Sequence, residues 1–451
     1  MAQLLPTYII MKKLFPKSSM KKHFSIIVIA ALTILISCSK KEELAVISPT
    51  NNLNKIAPDG FNYTTNKTLN VNINLLTNTN EPLNNIPVKV YFYKDGNIGE
   101  LALTAITNQQ GAINTTLSVP TYVDTMIVDP LSLGLLHNAK VFLSGNFLNC
   151  TLGGTQVASG NVAGTFSKEP PLLKTESNMS VFGAGGSGAA YKYMGKADVF
   201  GRPLYLEAKS DIISAEMLSY ISYSLPESKS VAKLNPEFIA DGATSNINIA
   251  KKSEVWVTFI YEGAGYRNTI GYYVYDTKNP PKNAKEIDTI YTVLPNASMA
   301  FSGGNMKSGD KISLGVFDAG KTIGFVLFAD AWRNYENYST SATTFYTNSA
   351  FNPEGDASLK RHTVLLNNNG KYIIGFEDIN RTLSSCDQDF NDVCIYASSN
   401  PIDAISNQDV QKIIVPSDTD GDGVSDVYDD FPSDPTRAYI SYFLQKILGA
   451  H

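Results

Sequence analysis

The stretch Leu69-Asn70-Val71-Asn72-Ile73-Asn74-Leu75 places an apolar side chain at every second position and an asparagine at each position between. Only an extended chain, whose successive side chains point to opposite faces, turns a period of two into one apolar and one polar face. It predicts a half-buried strand. Ile86, Val88, Val90 and Phe92 repeat the pattern, and Ile113, Thr115 and Leu117 continue it. Lys94-Asp95-Gly96 and Asn108-Gln109-Gln110-Gly111 supply turns between these runs. Strands at short, regular spacing separated by turn residues predict a small antiparallel, Ig-like sandwich over residues 57–130.

Downstream, residues 131–200 read as a Gly- and Ser-rich connecting region that contains Pro170-Pro171 and Gly183-Ala184-Gly185-Gly186-Ser187-Gly188. The glycine run satisfies a GxGxxG spacing. No βαβ context follows and no Lys-Ser/Thr closes a P-loop, so it reads as a flexible loop rather than a nucleotide site. One helix is expected from Ser214 to about Ser224, with Met217, Leu218 and Ile221 on one face and Leu225-Pro226 ending it. Apolar runs at residues 255–261, 270–275, 311–317, 322–328, 362–366, 372–376 and 393–396 predict a larger β-sandwich or jelly roll over residues 201–400. The expected fold class is therefore mainly β, with one short helix and an acidic C-terminal segment over residues 401–451.

Upstream, Met20-Lys21-Lys22-His23 is a basic head, and the apolar run over residues 24–36 is broken only by Ser25 and Thr33. That is the layout of a signal peptide, and the run is shorter than the roughly 18 apolar residues of a membrane span. It ends in Leu35-Ile36-Ser37-Cys38, which resembles the lipobox of bacterial lipoproteins. Residues 1–37 are thus expected to be removed, with Met20 as the start and Cys38 as the lipidated residue. A polar tether over residues 38–56 follows. One acyl chain anchors only marginally, whereas two or more hold stably. Ser39 stands where an aspartate would retain the chain in the inner membrane, so delivery to the outer membrane is expected. Lys40-Lys41-Glu42-Glu43 leaves two readings open, a surface-export patch and a plain charged tether.

Loss of residues 1–37 removes five lysines and no acid, which moves the net charge from −5 to −10. Residues 377–434 carry 14 acids against Arg381 and Lys412, so the whole acidic excess sits in one segment. Such density requires counter-cations or disorder. The lysines are scattered without a stripe of aromatics, which speaks against nucleic acid. Beyond Cys38, only Cys150, Cys386 and Cys394 remain, which excludes a disulfide scaffold. A Cys386–Cys394 bridge and two unpaired thiols both stay open, the thiols being preferred.

Two acidic motifs carry the chemistry. Asp418-Thr419-Asp420-Gly421-Asp422-Gly423-Val424-Ser425-Asp426-Val427-Tyr428-Asp429 reads as a calcium loop. Asp418, Asp420 and Asp422 fall at positions 1, 3 and 5, and Gly423 at the sharp turn. Val424 offers its carbonyl at 7, Asp426 falls at 9 and Asp429 at 12. Oxygen ligands at every position, without His or Cys, select a hard cation over zinc. The second motif joins Glu377-Asp378 to Asp387, Asp389, Asn391 and Asp392. It reads as another Ca²⁺ site, with a turn capped by Asx hydrogen bonds as the alternative.

No apolar helical pattern flanks the first loop; Phe431-Pro432-Ser433-Asp434-Pro435 follows instead, and the segment resembles a thrombospondin type 3 repeat. Glu262-Gly263-Ala264-Gly265-Tyr266, Gly271-Tyr272-Tyr273, Leu294-Pro295-Asn296-Ala297-Ser298, Gly375-Phe376-Glu377-Asp378 and Asp389-Phe390-Asn391-Asp392, followed by that loop, resemble the LruC-domain lipoproteins. The resemblance implies a β-rich surface or outer-membrane lipoprotein and carries over no catalytic residues. Such chains continue past a sequence like Asp434-Pro435-Thr436-Arg437-Ala438-Tyr439 into another acidic β-module, so the ending at His451 reads as a frameshifted or truncated product.

Two functional readings follow. The first is a Ca²⁺-stabilised, membrane-anchored surface protein that binds an extracellular protein or glycan without catalysis. The alternative is a glycan-active enzyme or its accessory subunit. Of the four histidines, His23 lies in the leader and His451 at the end, and His362 is expected on a strand or its edge. Glu262 in its glycine turn suits a glycosidase carboxylate, but no second carboxylate can be tied to it from sequence.

Overall fold

The computed structural model describes residues 64–166, 189–263, 265–334, 337–339 and 342–438. The expected leader, Cys38, the expected tether, the Gly183–Gly188 run and the tail from residue 439 lie outside these residues. Mainly β architecture is observed, with two strand-rich sandwiches and few helices.

Strand β1 (Asn66–Leu76) contains the alternating stretch. Leu69, Val71, Ile73 and Leu75 are fully buried, while the asparagines between them face outward, where Asn72 donates to Asn149 at 2.8 Å. The strands that follow are β2 (Pro87–Lys94), β3 (Asn97–Ile106), β4 (Ala112–Pro120) and β5 (Thr125–Pro130). Asp95 and Gly96 join β2 to β3 with φ of 52° and 78°, the mirror-image turn whose twist suits a two-residue hairpin.

The sandwich does not end at residue 130. Strands β6 (Ala139–Phe142), β7 (Phe147–Gly153), β8 (Ala158–Gly160) and β9 (Val162–Thr165) complete its two sheets, ordered β4-β1-β7-β8 and β3-β2-β5-β6-β9. These strands are short and interrupted by glycines, so their composition imitates a linker. Nor is the sandwich wholly antiparallel, because β7 runs parallel to β1. The chain crosses between the sheets at the tight turn from Ser144 to Phe147, which sends β7 back alongside β1.

The second sandwich begins with β10 (Ala190–Tyr193), within the expected connecting region. Helices α1 (Ala215–Ser224) and α2 (Val231–Leu234) follow, then β11 (Ile247–Asn248), β12 (Ser253–Glu262), β13 (Thr269–Asp276) and β14 (Thr289–Leu294). Next come β15 (Lys311–Phe317), β16 (Lys321–Phe328), β17 (Trp332–Asn334), β18 (Asn337–Tyr338) and β19 (Thr344–Tyr346). The remaining strands are β20 (Thr363–Asn368), β21 (Lys371–Phe376), β22 (Val393–Asn400) and β23 (Gln411–Lys412). One sheet runs β10-β14-β13-β16-β11 with β19 paired to β16, and the other runs β15-β12-β22-β21-β20-β23. All seven apolar runs named from the sequence fall in strands of these sheets, apart from His362, which immediately precedes β20.

Helix α1 starts where Ser214 accepts a hydrogen bond from the Met217 amide, the usual N-cap device, and stops at Leu225-Pro226. Its buried face, Met217, Leu218 and Ile221, belongs to the same apolar core as Leu133, Leu135 and Leu136 of the first sandwich. Gly134 takes φ of 88°, which favours glycine, and a Cβ there would lie 2.5 Å from Leu218 Cδ2 and force that side chain to shift. The Leu133 amide donates to Ser222 Oγ at 2.8 Å, and the rings of His137 and Tyr261 meet edge to face at 5.5 Å. The two sandwiches and the helix therefore share one core. No helix among the described residues is long and apolar enough to cross a membrane.

Candidate metal centres

The 418–429 loop follows β23 and curls on itself. Gly421 and Gly423 take φ of 78° and 95°, and their amides donate to the two oxygens of Asp418 at 2.8 and 2.9 Å. The Asp422 amide donates to Asp420 Oδ1 and the Val424 amide to Asp422 Oδ1. The curl brings carboxylate oxygens of Asp418, Asp420 and Asp422 within 4.8 Å of one another. Two oxygens on one Ca²⁺, each about 2.3–2.6 Å from it, lie at most about 5 Å apart, so this spacing admits a single ion. Asp420 Oδ2 and Asp429 Oδ2 are both buried without a hydrogen-bond partner among the described residues. Burial, and then the charges of Asp422, Asp420 and Asp430, raise the Asp429 carboxyl above its ordinary range.

Asp426 does not join them. Its Oδ1 accepts from the Thr419 amide, and its Oδ2 accepts from the Ser417 and Thr419 hydroxyls, each at 2.8 Å. These bonds hold it below the usual carboxylate range and pin the start of the loop. The Val424 side chain is buried, which anchors the loop from within.

The second motif divides. Asp387 and Asp389 come together with Glu227, their carboxylate oxygens within 4.8 Å of one another. Glu227 lies just beyond α1, far upstream in sequence, and no local signal in Pro226-Glu227-Ser228 marks it. Asp378 and Asp392 pair separately: Asp392 Oδ2 accepts from the Asp378 amide at 2.8 Å, and Asp378 Oδ2 accepts from Asn268 at 2.6 Å. The Asn391 side-chain nitrogen donates to the Leu225 carbonyl at 3.1 Å and so caps the end of α1, while the Asn391 backbone amide donates to Asp389 Oδ1 at 3.2 Å.

Glu377, 1% exposed, lies close enough to Asp387 and Asp378 to feel both charges. Its Oε1 accepts from the Cys386 thiol at 3.1 Å, and its Oε2 has no partner among the described residues. Burial pushes the Glu377 carboxyl up to about 8 and Asp378 up to about 7. Burial, reinforced by neighbouring acids, also puts Asp389 and Asp392 well above their ordinary range. The nearby guanidinium of Arg381 does not pair with these acids; it donates to the Ser358 and Arg361 carbonyls and to Gln388. Two crowded sets of carboxylates could thus each hold a metal ion, and the donor set of oxygens alone suits a hard one.

Other candidates have local structural partners. Glu262, 3% exposed, accepts from the Met299 amide at 3.2 Å and the Ser302 hydroxyl at 3.4 Å, which ties down the loop after β14. His362 is buried between the Glu354 carboxylate and the Glu377 carbonyl, 2.9 Å from each, and stacks on Phe345. Burial alone would lower the His137 pKa, but Glu227 and Asp129 outweigh it and bring it up to about 9. Cys150, Cys386 and Cys394 are all free thiols.

Two family models match parts of the chain. Both describe a domain of unknown function: DUF8469 over residues 67–152 and DUF4114 over residues 317–400. The first covers the first sandwich from β1 into β7. The second runs from the end of β15 through β22 and contains Glu377, Asp378, Asp387, Asp389, Asn391 and Asp392, but neither Glu227 nor the 418–429 loop. No curated protein and no solved structure matches the chain.

Proposed function

We propose that the chain is an LruC-like surface lipoprotein, held to the outer membrane by lipid on Cys38, whose folded part is a Ca²⁺-stabilised, non-catalytic adhesion or ligand-binding module. The observation that carries this reading is the pair of carboxylate trios, Asp418–Asp420–Asp422 and Glu227–Asp387–Asp389, each gathered within 4.8 Å. Acids of like charge held this close oppose one another unless a cation or protons neutralise them. Ca²⁺ takes six to eight oxygens in flexible geometry and suits both sets. The first trio and Asp429 form a loop of the thrombospondin type 3 kind. The lipobox supports the same reading from the other end of the chain, because extracellular Ca²⁺ keeps weak sites filled. The ligand is an extracellular protein or glycan.

Metal content after dialysis against Ca²⁺ tests the reading. Two ions per chain are expected, one lost in Asp420→Asn and the other in Glu227→Gln. Uptake of none would overturn the proposal.

A further inference from the structure

The two carboxylate trios come from distant parts of the chain, yet both lean on the segment that ends α1. On the loop side, the Tyr428 hydroxyl donates to the Ser222 carbonyl at 2.9 Å, and Tyr223 shares a 2.6 Å hydrogen bond with Ser417. The Ile414 amide donates to Ser224 Oγ at 3.0 Å, and the Lys229 ammonium donates to the Val427 carbonyl. On the other side, Glu227 supplies one carboxylate, and the Ser228 amide donates to Asp389 Oδ2 at 2.9 Å. Asn391 holds the Leu225 carbonyl, and the Val231 amide donates to the Gln388 carbonyl at 2.9 Å. Residues 222, 223, 224 and 229 thus face one site, while 225, 227, 228 and 231 face the other.

Each trio also has in its field a buried carboxylate with one oxygen that has no partner among the described residues: Asp429, 8% exposed, with its Oδ2, feels Asp420 and Asp422, and Glu377, 1% exposed, with its Oε2, feels Asp387. These oxygens point to a ligand that the acids alone do not supply.

We propose that the segment 222–231 couples the two sites, so that a divalent cation bound at one raises the affinity of the other. The inference rests on the cation reading above. Without an ion, mutual repulsion pushes Glu227 away from Asp387 and Asp389 and displaces the turn after α1. That displacement moves the Ser222 carbonyl, Tyr223 and Ser224, which seat the 418–429 loop. An ion at either site holds the segment in the arrangement the other requires. Binding at one site therefore carries part of the ordering cost of the other, which is positive coupling, and the coupling is reciprocal. Because Ser222 Oγ accepts from Leu133, the same segment also ties the first sandwich into the arrangement.

Calorimetric titration of the full chain with Ca²⁺ alone tests this. Glu227→Gln leaves only the loop site, and Asp420→Asn leaves only the other. The product of the two association constants in the wild type is expected to exceed the product from these single-site variants by about fivefold or more. Tyr428→Phe removes the bond to Ser222 and keeps every carboxylate, so it should retain two bound ions while reducing that excess. If either carboxylate variant fails to fold, the product of the two association constants in Tyr428→Phe is compared directly with that of the wild type, and an unchanged product rejects the coupling. Two ions binding with products equal within twofold, unchanged by Tyr428→Phe, would reject the coupling and leave the cation sites standing. A wild-type chain that takes up no Ca²⁺ would remove the cation reading, and the coupling with it.

Discussion

On the proposed reading of two Ca²⁺ sites, withdrawal of Ca²⁺ should lower the melting temperature of this protein by an amount that follows from them. Extracellular modules bind Ca²⁺ with dissociation constants of about 10⁻⁴–10⁻³ M. At the tighter end of that range, where about 10 mM Ca²⁺ is about 100 times the dissociation constant, one ion that binds only the folded chain stabilises it by about 2.7 kcal/mol. The cooperative unit contains roughly 375 residues, and an unfolding entropy of about 2.1 cal/mol/K per residue gives about 0.8 kcal/mol per degree. Each filled site should therefore raise the melting temperature by about 3 °C, and both by about 6–7 °C. The assay is an intrinsic-fluorescence melt in EGTA and in about 10 mM CaCl₂ at matched ionic strength, with Mg²⁺ as control. Mg²⁺ demands octahedral geometry and dehydrates reluctantly, so its shift should be smaller. Asp420→Asn should lose at least half of the Ca²⁺ shift, more where the two sites are coupled, and, by relieving repulsion with Asp422 and Asp429, melt slightly above the wild type in EGTA. A wild-type shift below about 1 °C, or an equal shift with Mg²⁺, would refute the reasoning.

The pH dependence of the calcium-stripped protein has a definite sign. Glu377, at about 8, and Asp378, at about 7, lie above their ordinary values, so the folded chain holds more protons than the unfolded one between pH 4 and 8. Their contribution is fully present below about pH 4 and is lost as pH rises through 7 and 8; His137, raised to about 9, acts in the same direction above pH 6.5. Melting temperature without Ca²⁺ should fall from pH 5 to 8, while the Ca²⁺ shift grows because binding requires ionised carboxylates; a melting temperature that rises over this range would contradict the assignment. In the first sandwich, Ile73→Ala removes a fully buried side chain of β1 and should cost about 2–5 kcal/mol in urea unfolding, against less than about 1 kcal/mol for the outward-facing Asn72→Ala.

Much of the fold was legible locally. The alternation from Leu69 to Leu75 needed no partner to declare its buried face, and the structure buries each of its apolar residues. Ser214 and Leu225-Pro226 bounded α1 because a cap and a proline act within one turn. Strands β6 to β9 escaped because strands this short, broken by glycines, contain too few residues to display a period. The parallel pairing of β1 with β7 escaped because pairing direction depends on how the chain crosses between sheets, which periodicity does not encode.

At the candidate sites the division is similar. The spacing of Asp418, Asp420, Asp422 and Asp429 around Gly423 is a property of one short loop, and the structure gathers the first three with Asp429 close by. The sequence also showed that Asp387 and Asp389 crowd one another, since they lie two positions apart. It did not show that Glu227 joins them, that Asn391 also caps the end of α1, or that Asp426 fastens the start of its own loop. Those outcomes depend on which distant backbone groups arrive beside each side chain. The sequence by itself determined the strand periodicity, the helix ends and the acidic register, because each is a relation among neighbours along the chain. Only the tertiary structure decided which acids share a site and that both sites lean on one segment, because burial and long-range hydrogen bonding exist only once the sandwiches have packed.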